Sequence, residues 1–414
     1  MTSTDPEVTI YYGPLSWFHQ QIGTEPTQNL VELTYEMDDL SRQIKIVQPG
    51  VDEDSEKPKD PRPKRVVAES SDYASLREHV ISNFAGFVRK LNPEQLFLHN
   101  PPVRVHEQLQ RTVRGTSVER FDYPTVSLQT LVDFRDGFSG HLVGQHDVQQ
   151  NVLAAMYPLT RPARSRPVVL MFFGPSGVGK TETAQFINGL LGGKLMRKQF
   201  SMFHSEKFAS YLFGGDHSEA SLARDLLDRE SGVILIDEFD KANSVFHSAF
   251  YQLFDGGEFE DKNYNVKVGP ALIICTSNYG SESEISDALG DALLSRFDAL
   301  IEFDHLSVDE TMQVIERLVD HQLSTMEPEE RAKLDRPGLV EMFTRVAEKA
   351  TNVRRLSKLV EQTMSLMLVR ATLQAPAALS AAAVPVDGSL ADVDSTRAPI
   401  PPGPSALSKD AEQK

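Results

Sequence analysis

The run from Gly174 to Thr181 constrains the fold of this chain more than any other feature of its sequence. It reads Gly-Pro-Ser-Gly-Val-Gly-Lys-Thr and fits the pattern G-x-x-x-x-G-K-[ST]. The apolar run from Val168 to Phe173 precedes it and predicts a buried strand, and a helical pattern follows. In this setting the backbone N–H groups of the loop converge on phosphate oxygens, and the helix start adds positive potential. The sequence therefore predicts a phosphate-binding loop rather than a chance glycine-rich turn.

Two side chains at the end of this loop carry specific chemistry. We expect Lys180 to place its charge on the β- and γ-phosphates and the Thr181 hydroxyl to bind Mg²⁺.

Composition narrows the class of protein. The 414 residues suffice for two or three domains, and the apolar fraction of 40% is ordinary for a soluble protein. There is no apolar window of about eighteen residues and no layout of a signal peptide, so we expect a cytoplasmic protein without a membrane span. The net charge of −17 argues against a nucleic-acid partner. The single cysteine, Cys275, lies in an apolar strand pattern and is expected to be a buried thiol.

We divide the chain into five parts. Residues 1–66 are assigned to an N-terminal element with an acidic and Pro-rich linker, and 67–139 to a helical N-terminal region. Residues 140–305 are assigned to the nucleotide-binding domain, 306–373 to a helical lid domain, and 374–414 to a disordered tail.

Local patterns support this division. Short apolar runs at Val8–Tyr12, Leu30–Leu33 and Ile44–Val47 suggest strands, and apolar positions from Ser75 to Leu91 recur at helical spacing. From about Gly140, strands and helices alternate, which predicts an α/β domain with a parallel sheet flanked by helices.

The lid domain has its own signals. Ser307 and Glu310 predict a capping box ahead of an amphipathic helix, and a later helix carries apolar positions from Leu356 to Met367.

Two carboxylates follow the next predicted buried strand. Val233 to Ile236 form an apolar run that ends in Asp237 and Glu238, at the edge where ligands bind in open parallel sheets. We expect Asp237 to hold Mg²⁺ and Glu238 to polarise the water that attacks the γ-phosphate. Two acidic residues at a helix start would explain the pair equally well, but its combination with the phosphate loop favours the functional interpretation.

Three further polar residues are candidates with open alternatives. Asn278 ends another apolar strand and could contact the attacking water or the γ-phosphate, or simply form a turn. Arg296 could reach a nucleotide on a neighbouring subunit, or form a surface ion pair with Asp298. Arg354 at a helix start opposes the helix dipole, which suggests an anionic partner.

Together these motifs resemble the AAA+ ATPases, specifically the branch of Clp-type unfoldases and torsins. Val143-Gly144-Gln145 is similar to the family's adenine-side box, Gly174–Thr181 to its Walker A and Asp237-Glu238 to its Walker B. The longer run Asp237–Asn243 is similar to the string D-E-[IM]-[ED]-K-[AM]-H of this branch. Thr276–Asn278 is similar to sensor 1, Ser295–Asp298 to the arginine-finger segment, Val353–Leu356 to sensor 2, and Leu253–Asp261 to an acidic hairpin.

The resemblance implies ATP and Mg²⁺ as ligands and a set of site residues. The catalytic residues are Glu238, Asn278 and Arg296, and the metal ligands are Thr181 and Asp237. The ATP-binding residues are Val143, Gly174, Pro175, Ser176, Gly177, Val178, Gly179, Lys180, Thr181 and Arg354.

The sequence departs from that branch in the segment after Gly214. Ser210 to Gly214 is similar to a segment that precedes an aromatic pore loop in these unfoldases, but Gly215 to Ser218 contain no such loop. Tyr211 or Phe213 could grip a polypeptide, although core packing is the favoured role for both. A peptidase-docking segment of the Ile-Gly-Leu or Ile-Gly-Phe type is also absent from the sequence.

The expected function is ATP-driven remodelling or disassembly of a protein client by a homo-oligomeric, hexameric ring that forms with ATP. One alternative is a torsin-like regulator that toggles a partner without threading it. The other is a nucleotide-switched assembly module of a defence or signalling system.

Overall fold

The computed structural model describes residues 5–42, 62–202, 205–347 and 352–374. The strands are β1 (Glu7–Tyr12), β2 (Gln28–Asn29), β3 (Arg65–Ala68), β4 (Gln95–His99), β5 (Ser117–Arg120), β6 (Val168–Phe173), β7 (Met196–Gln199), β8 (Val233–Asp237), β9 (Glu258–Glu260), β10 (Asn265–Lys267), β11 (Leu272–Thr276) and β12 (Ala299–Glu302). The helices are α1 (Leu15–Ile22), α2 (Leu30–Arg42), α3 (Glu78–Ser82), α4 (Phe84–Leu91), α5 (Val103–Thr112), α6 (Leu128–His141), α7 (His146–Met156), α8 (Lys180–Leu191), α9 (Ser205–Phe213), α10 (Leu222–Leu227), α11 (Tyr251–Gly256), α12 (Glu282–Leu294), α13 (Val308–Thr325), α14 (Pro328–Arg331), α15 (Arg336–Ala347) and α16 (Val353–Gln374).

The N-terminal region is an α/β domain built on a parallel sheet. Its strands lie in the order β2-β3-β4-β1-β5, and every pair is parallel. Because side chains alternate across a strand, Val8 and Ile10 pack under α3, α4 and α5, whereas Tyr11 packs on the other face with Phe18 of α1. Both faces of this sheet are therefore covered, as parallel sheets require.

This domain corrects the predicted organisation of the first 139 residues. The strand at Val8–Tyr12 is confirmed, but Leu30–Leu33 opens helix α2. The region 67–139 is not purely helical, because it contributes β4, β5 and half of β3 to the same sheet as β1. Parallel partners are far apart in sequence, so no hairpin signal reveals them.

Two further expectations in this region have different outcomes. The helix predicted over Ser75–Leu91 is divided into α3 and α4 at Asn83, whose φ of −128° is not helical. The predicted strand at Ile44–Val47, nearly all of the linker and the C-terminal tail from residue 375 lie outside the described residues.

The second sheet carries the phosphate loop. Its strands lie in the order β12-β6-β11-β8-β7 and all pairs are parallel, as the alternating strand and helix patterns predict. Strands β6, β8 and β11 are wholly buried, with alternate residues facing two separate apolar clusters. Cys275 lies on β11, and burial raises the pKa of its thiol, which fits an inert core residue.

Helices α13, α15 and α16 pack together as the expected lid. Ser307 and Glu310 form the predicted capping box at the start of α13, with the Glu310 carboxylate accepting from the Ser307 N–H at 2.8 Å. The apolar cluster of the lid includes Val143 from the connection between α6 and α7.

The N-terminal sheet docks on the second domain through the edge where its strands end. The Leu15 N–H at the start of α1 donates to Asp228 Oδ1 at 2.9 Å, and Ser16 Oγ donates to Glu230 Oε1 at 3.2 Å. The Tyr123 hydroxyl donates to the Leu227 carbonyl at 2.8 Å. Among the described residues, none of the helices is both long and apolar enough to cross a membrane.

Candidate nucleotide-binding site

The phosphate loop joins β6 to α8, as its sequence predicts. Gly174 has φ of 122°, and a Cβ there would lie 2.2 Å from the Phe303 carbonyl oxygen, so only glycine fits. The loop is also held from the lid side, because Asn352 Nδ2 donates to the Ser176 carbonyl at 2.9 Å and the Val353 N–H donates to the Gly177 carbonyl at 3.1 Å. The start of α16 thus rests directly on this loop.

Lys180 is folded back over the loop. Its side chain is buried at 8% exposure, and Nζ donates to the carbonyls of Gly174 at 2.6 Å and Pro175 at 2.7 Å. Burial lowers the pKa of Lys180 to about 8, against the opposing influence of Asp240 and Asp237. A bound phosphate would place a negative charge beside the buried Lys180 ammonium and so favour its charged form.

Asp237 lies at the end of β8 with four polar groups around it. Thr181 Oγ1 donates to Asp237 Oδ1 at 3.4 Å, and Thr276 Oγ1 donates to the same oxygen. Arg197 of the neighbouring strand β7 donates through Nε to Oδ2 at 3.0 Å and also through Nη2. The two predicted metal ligands, Thr181 and Asp237, are therefore adjacent. In this structure the cation beside the Asp237 carboxylate is the Arg197 guanidinium.

The backbone leaves the extended strand conformation at Glu238, directly after Asp237. Its φ of 56° places it in the left-handed region, which few non-glycine residues adopt. Its N–H donates to Thr276 Oγ1 at 3.0 Å, which helps to hold this conformation, and its carboxylate accepts from Gln199 Nε2 at 3.1 Å.

These groups open into one cleft of about 1070 Å³ between the parallel sheet and the lid. Among the predicted site residues, the cleft is lined by Val143, Ser176, Gly177, Val178, Gly179, Lys180, Thr181, Asp237, Glu238, Asn278 and Arg354. Gly174 and Pro175 lie just behind it and bind Lys180 through their carbonyls.

Asn278 follows β11 and reaches the phosphate loop. Its Oδ1 accepts from Lys180 Nζ at 3.3 Å, so it is more than a turn former. Arg354 extends from the first turn of α16 into the same cleft, and its charge acts on Lys180. Both placements fit the predicted roles near a phosphate chain.

Arg296 does not line the cleft of its own chain. Its Nε donates to Asp255 Oδ2 at 2.9 Å, and its guanidinium lies 4.2 Å from the centre of the Tyr251 ring. Arg296 therefore pairs with Asp255 and not, as the alternative predicted, with Asp298, whose carboxylate accepts the Val169 N–H at 2.9 Å and lies 3.8 Å from Arg164 Nη2.

Sequence reasoning missed three polar residues of this site. Arg197 and Gln199 lie two positions apart on β7, so both point to the side of β8 that carries the carboxylates. The only sequence signal for Arg197 and Gln199 was this alternation of side chains along a short strand at the edge of the sheet. Thr276 could have been found, because it ends the strand adjacent to Asp237.

The segment after α9 also corrects one expectation. Tyr211 is buried and its hydroxyl donates to Asp225 Oδ2 at 2.6 Å, as core packing predicts. Phe213 is not a core residue, because 48% of it is exposed. Two residues of the segment after Gly214 contact other parts of the chain. Asn263 Nδ2 donates to the Gly215 carbonyl at 3.1 Å, and His217 Nε2 lies 3.6 Å from the Glu78 carboxylate of the N-terminal domain.

The fold and the cleft define an AAA+ ATPase domain. Residues 166–334 match the family model described as AAA domain (Cdc48 subfamily), which spans the phosphate loop, both carboxylates and Asn278. Residues 166–334 therefore form an AAA+ domain, and the predicted resemblance of this part of the chain to the AAA+ ATPases is confirmed.

The similar proteins are of the Clp type. The ATP-dependent Clp protease ATP-binding subunit ClpL of Staphylococcus aureus is 27% identical over 251 residues, in strain USA300 and in strain MRSA252. The alignment covers 54% of this chain and only 35% of that relative, so the chain spans about a third of its length. A closed-state structure of Hsp104 with ATPγS and FITC casein superposes with a TM-score of 0.51 at 16% identity. It covers 74% of this chain and 61% of that one, and shows likeness of fold alone.

Proposed function

We propose that this chain hydrolyses ATP with Mg²⁺ and uses the cycle to remodel or disassemble a protein partner as a homo-oligomeric ring. The proposal is carried by one observation: Lys180, Asp237, Glu238 and Asn278 converge in a single cleft that the lid residue Arg354 closes from the opposite side. Similarity to Clp-type subunits supports action on proteins.

The residues divide the chemistry among them. Lys180 and Arg354 are the cations that bind the phosphate chain, and the loop N–H groups and the start of α8 surround it. We assign to Glu238 the polarisation of the attacking water, because its carboxylate lines the same cleft as Lys180 and Asn278.

The donor set fits a magnesium ion. Thr181 Oγ1 and Asp237 Oδ1 are hard oxygen ligands 3.4 Å apart, and Asp237 already holds a cationic group, the Arg197 guanidinium. The ion would neutralise charge on the β- and γ-phosphates when bound. Binding of the ion would require Arg197 to give up its hydrogen bonds to Asp237.

The ring is proposed from the position of Arg296. It is away from its own cleft and close to the surface, where it could complete the cleft of a neighbouring copy and stabilise charge in the transition state. Head-to-tail contacts of this kind generate a closed ring when the rotation from one copy to the next closes.

Two variants test hydrolysis and the trans contribution together. We expect Glu238→Gln to bind ATP with turnover reduced about 100-fold or more, and Arg296→Ala to bind ATP with turnover reduced on the order of 1000-fold. Mixing the two should restore turnover, because Glu238→Gln subunits supply the missing arginine to intact carboxylates. Glu260→Gln and Arg345→Ala, both exposed, are the controls. Wild-type turnover by Arg296→Ala would refute the ring mechanism.

A second candidate, a nucleotide-switched regulator that does not thread polypeptide, is favoured by the segment Gly215–Ser218. This segment contacts the N-terminal domain through His217, whose Nε2 lies 3.6 Å from the Glu78 carboxylate. Incubation with an unfolded labelled polypeptide and ATP separates the candidates, since only a threading protein would unfold or translocate it processively.

A further inference from the structure

A second cavity, of about 480 Å³, lies between the N-terminal domain and the AAA+ domain. Glu78 and Arg104 line it from the N-terminal domain, and His217 and Lys262 line it from the AAA+ domain. It is separate from the nucleotide cleft and shares no lining residue with it.

The position of this cavity in the fold is where open parallel sheets bind ligands. Glu78 begins α3 in the connection after β3, and Arg104 lies in the first turn of α5 after β4. Both therefore lie beyond the carboxyl ends of neighbouring strands, the usual ligand edge of such sheets. The AAA+ domain closes this edge, because the Val103 N–H donates to the Asn263 carbonyl at 2.9 Å.

The cationic side chains of the cavity are arranged around the carboxylate of Glu78. Glu78 lies 3.4 Å from Arg104 Nη1 and 3.6 Å from His217 Nε2. Lys262 lines the same cavity, and its charge also acts on His217. Glu78 Oε1 also accepts from Ser82 Oγ at 3.4 Å, but the Glu78 side chain is 65% exposed, so it can turn to solvent. Asp216, the other carboxylate of the lining, is exposed as well.

One polar atom of the lining is left without a partner. His217 Nδ1 is buried and has no hydrogen-bond partner among the residues that the structure describes. Buried nitrogen atoms of this kind are nearly always satisfied by protein, water or ligand. A ligand in the cavity would be within the reach of this ring and of the two cationic side chains.

We propose that this cavity binds a small anion with a phosphate or carboxylate group, which takes the place of the Glu78 carboxylate beside Arg104 and His217. Arg104 offers a planar fork and Lys262 a point charge, the two usual cationic partners of such groups. Because the walls come from two domains, the bound anion would hold the N-terminal domain against the AAA+ domain. The proposal does not depend on ATP hydrolysis.

Calorimetric titration of the full chain with inorganic phosphate, and separately with citrate, tests the proposal and distinguishes the two chemistries. The nucleotide cleft is silenced in two ways, by saturation with ADP and by Lys180→Ala. In either background we expect binding that Lys262→Gln weakens about tenfold, equivalent to about 1.4 kcal/mol. Glu78→Gln should strengthen binding several-fold, because it removes the competing carboxylate.

Lys267→Gln is the matched control, since Lys267 lies on β10 of the same hairpin, is exposed and is paired with Glu258 away from the cavity. It removes the same charge and should leave the affinity unchanged. The absence of binding by both anions, or equal effects of Lys262→Gln and Lys267→Gln, would overturn the proposal. Weaker binding by Glu78→Gln would also contradict it.

Discussion

The buried Lys180 makes nucleotide affinity depend on pH above neutrality. Its pKa of about 8 in the free protein means that the ammonium is about nine-tenths charged at pH 7 and about one-tenth charged at pH 9. Bound phosphates favour the charged form, so binding takes up a proton wherever the free side chain is neutral. Affinity should therefore be nearly flat below about pH 7 and fall above it, by about tenfold between pH 7 and pH 9.

Fluorescence titration with a labelled ADP at constant ionic strength measures this dependence. Lys180→Arg is the matched variant, because arginine keeps its charge throughout this range. Its affinity is expected to be lower than that of the wild type at pH 7, since the guanidinium does not fit the carbonyls of Gly174 and Pro175 in the same way. Its pH profile should nevertheless be flat. A flat wild-type profile, or an equal slope in Lys180→Arg, would refute the assignment of the titration to this residue.

Two other substitutions address the metal site and the domain contact. Because the Arg197 guanidinium competes for Asp237, Arg197→Met should lower the Mg²⁺ concentration that gives half-maximal ATP hydrolysis. Asp228 accepts the Leu15 N–H and so caps α1, which has no capping side chain of its own. Asp228→Ala should reduce the free energy of unfolding by about 1 kcal/mol, measured with urea and the fluorescence of Trp17, the single tryptophan of the chain.

Neighbouring residues provide the controls. Lys198→Met removes a cation from the same strand that pairs with Asp225 instead, so its magnesium requirement should equal that of the wild type. Asp287→Ala removes an exposed carboxylate from α12 and should leave the unfolding midpoint unchanged. An unchanged magnesium requirement in Arg197→Met would contradict the competition, and equal midpoints for Asp228→Ala and the wild type would contradict the capping role.

The nucleotide site could be predicted because its determinants are local in sequence. The loop from Gly174 to Thr181 fixes its own backbone conformation, and the apolar runs before Asp237 and Asn278 can only be buried strands. Parallel strands bring their ends to one edge, so these residues had to meet. The capping box at Ser307 is equally local, and it was predicted correctly.

The N-terminal sheet and the partners of Asp237 could not be predicted in the same way. The strand β3 has only four residues and β5 has one side chain, Val118, in the apolar contacts, so neither shows a clear pattern. Arg197 lies on a strand that reads as charged and exposed until its register beside β8 is known. Long-range pairing decides both cases, and a single sequence does not contain that information.

The contacts of β8 determine which parts of this chain can move during a nucleotide cycle. At its amino end, the loop that contains Asp228 and Glu230 binds the start of α1, and at its carboxyl end lies Asp237. The strand is fully buried between β7 and β11, so the N-terminal domain and the carboxylates are fixed to one rigid element. Among the described residues, the lid is bound to the second domain by contacts at the edge of the cleft: Asn352 and Val353 contact the phosphate loop, and Arg317 donates to the carbonyls of Ser139 at 2.9 Å and Gly140 at 3.2 Å. Nucleotide exchange should therefore rotate the lid against a unit formed by the other two domains.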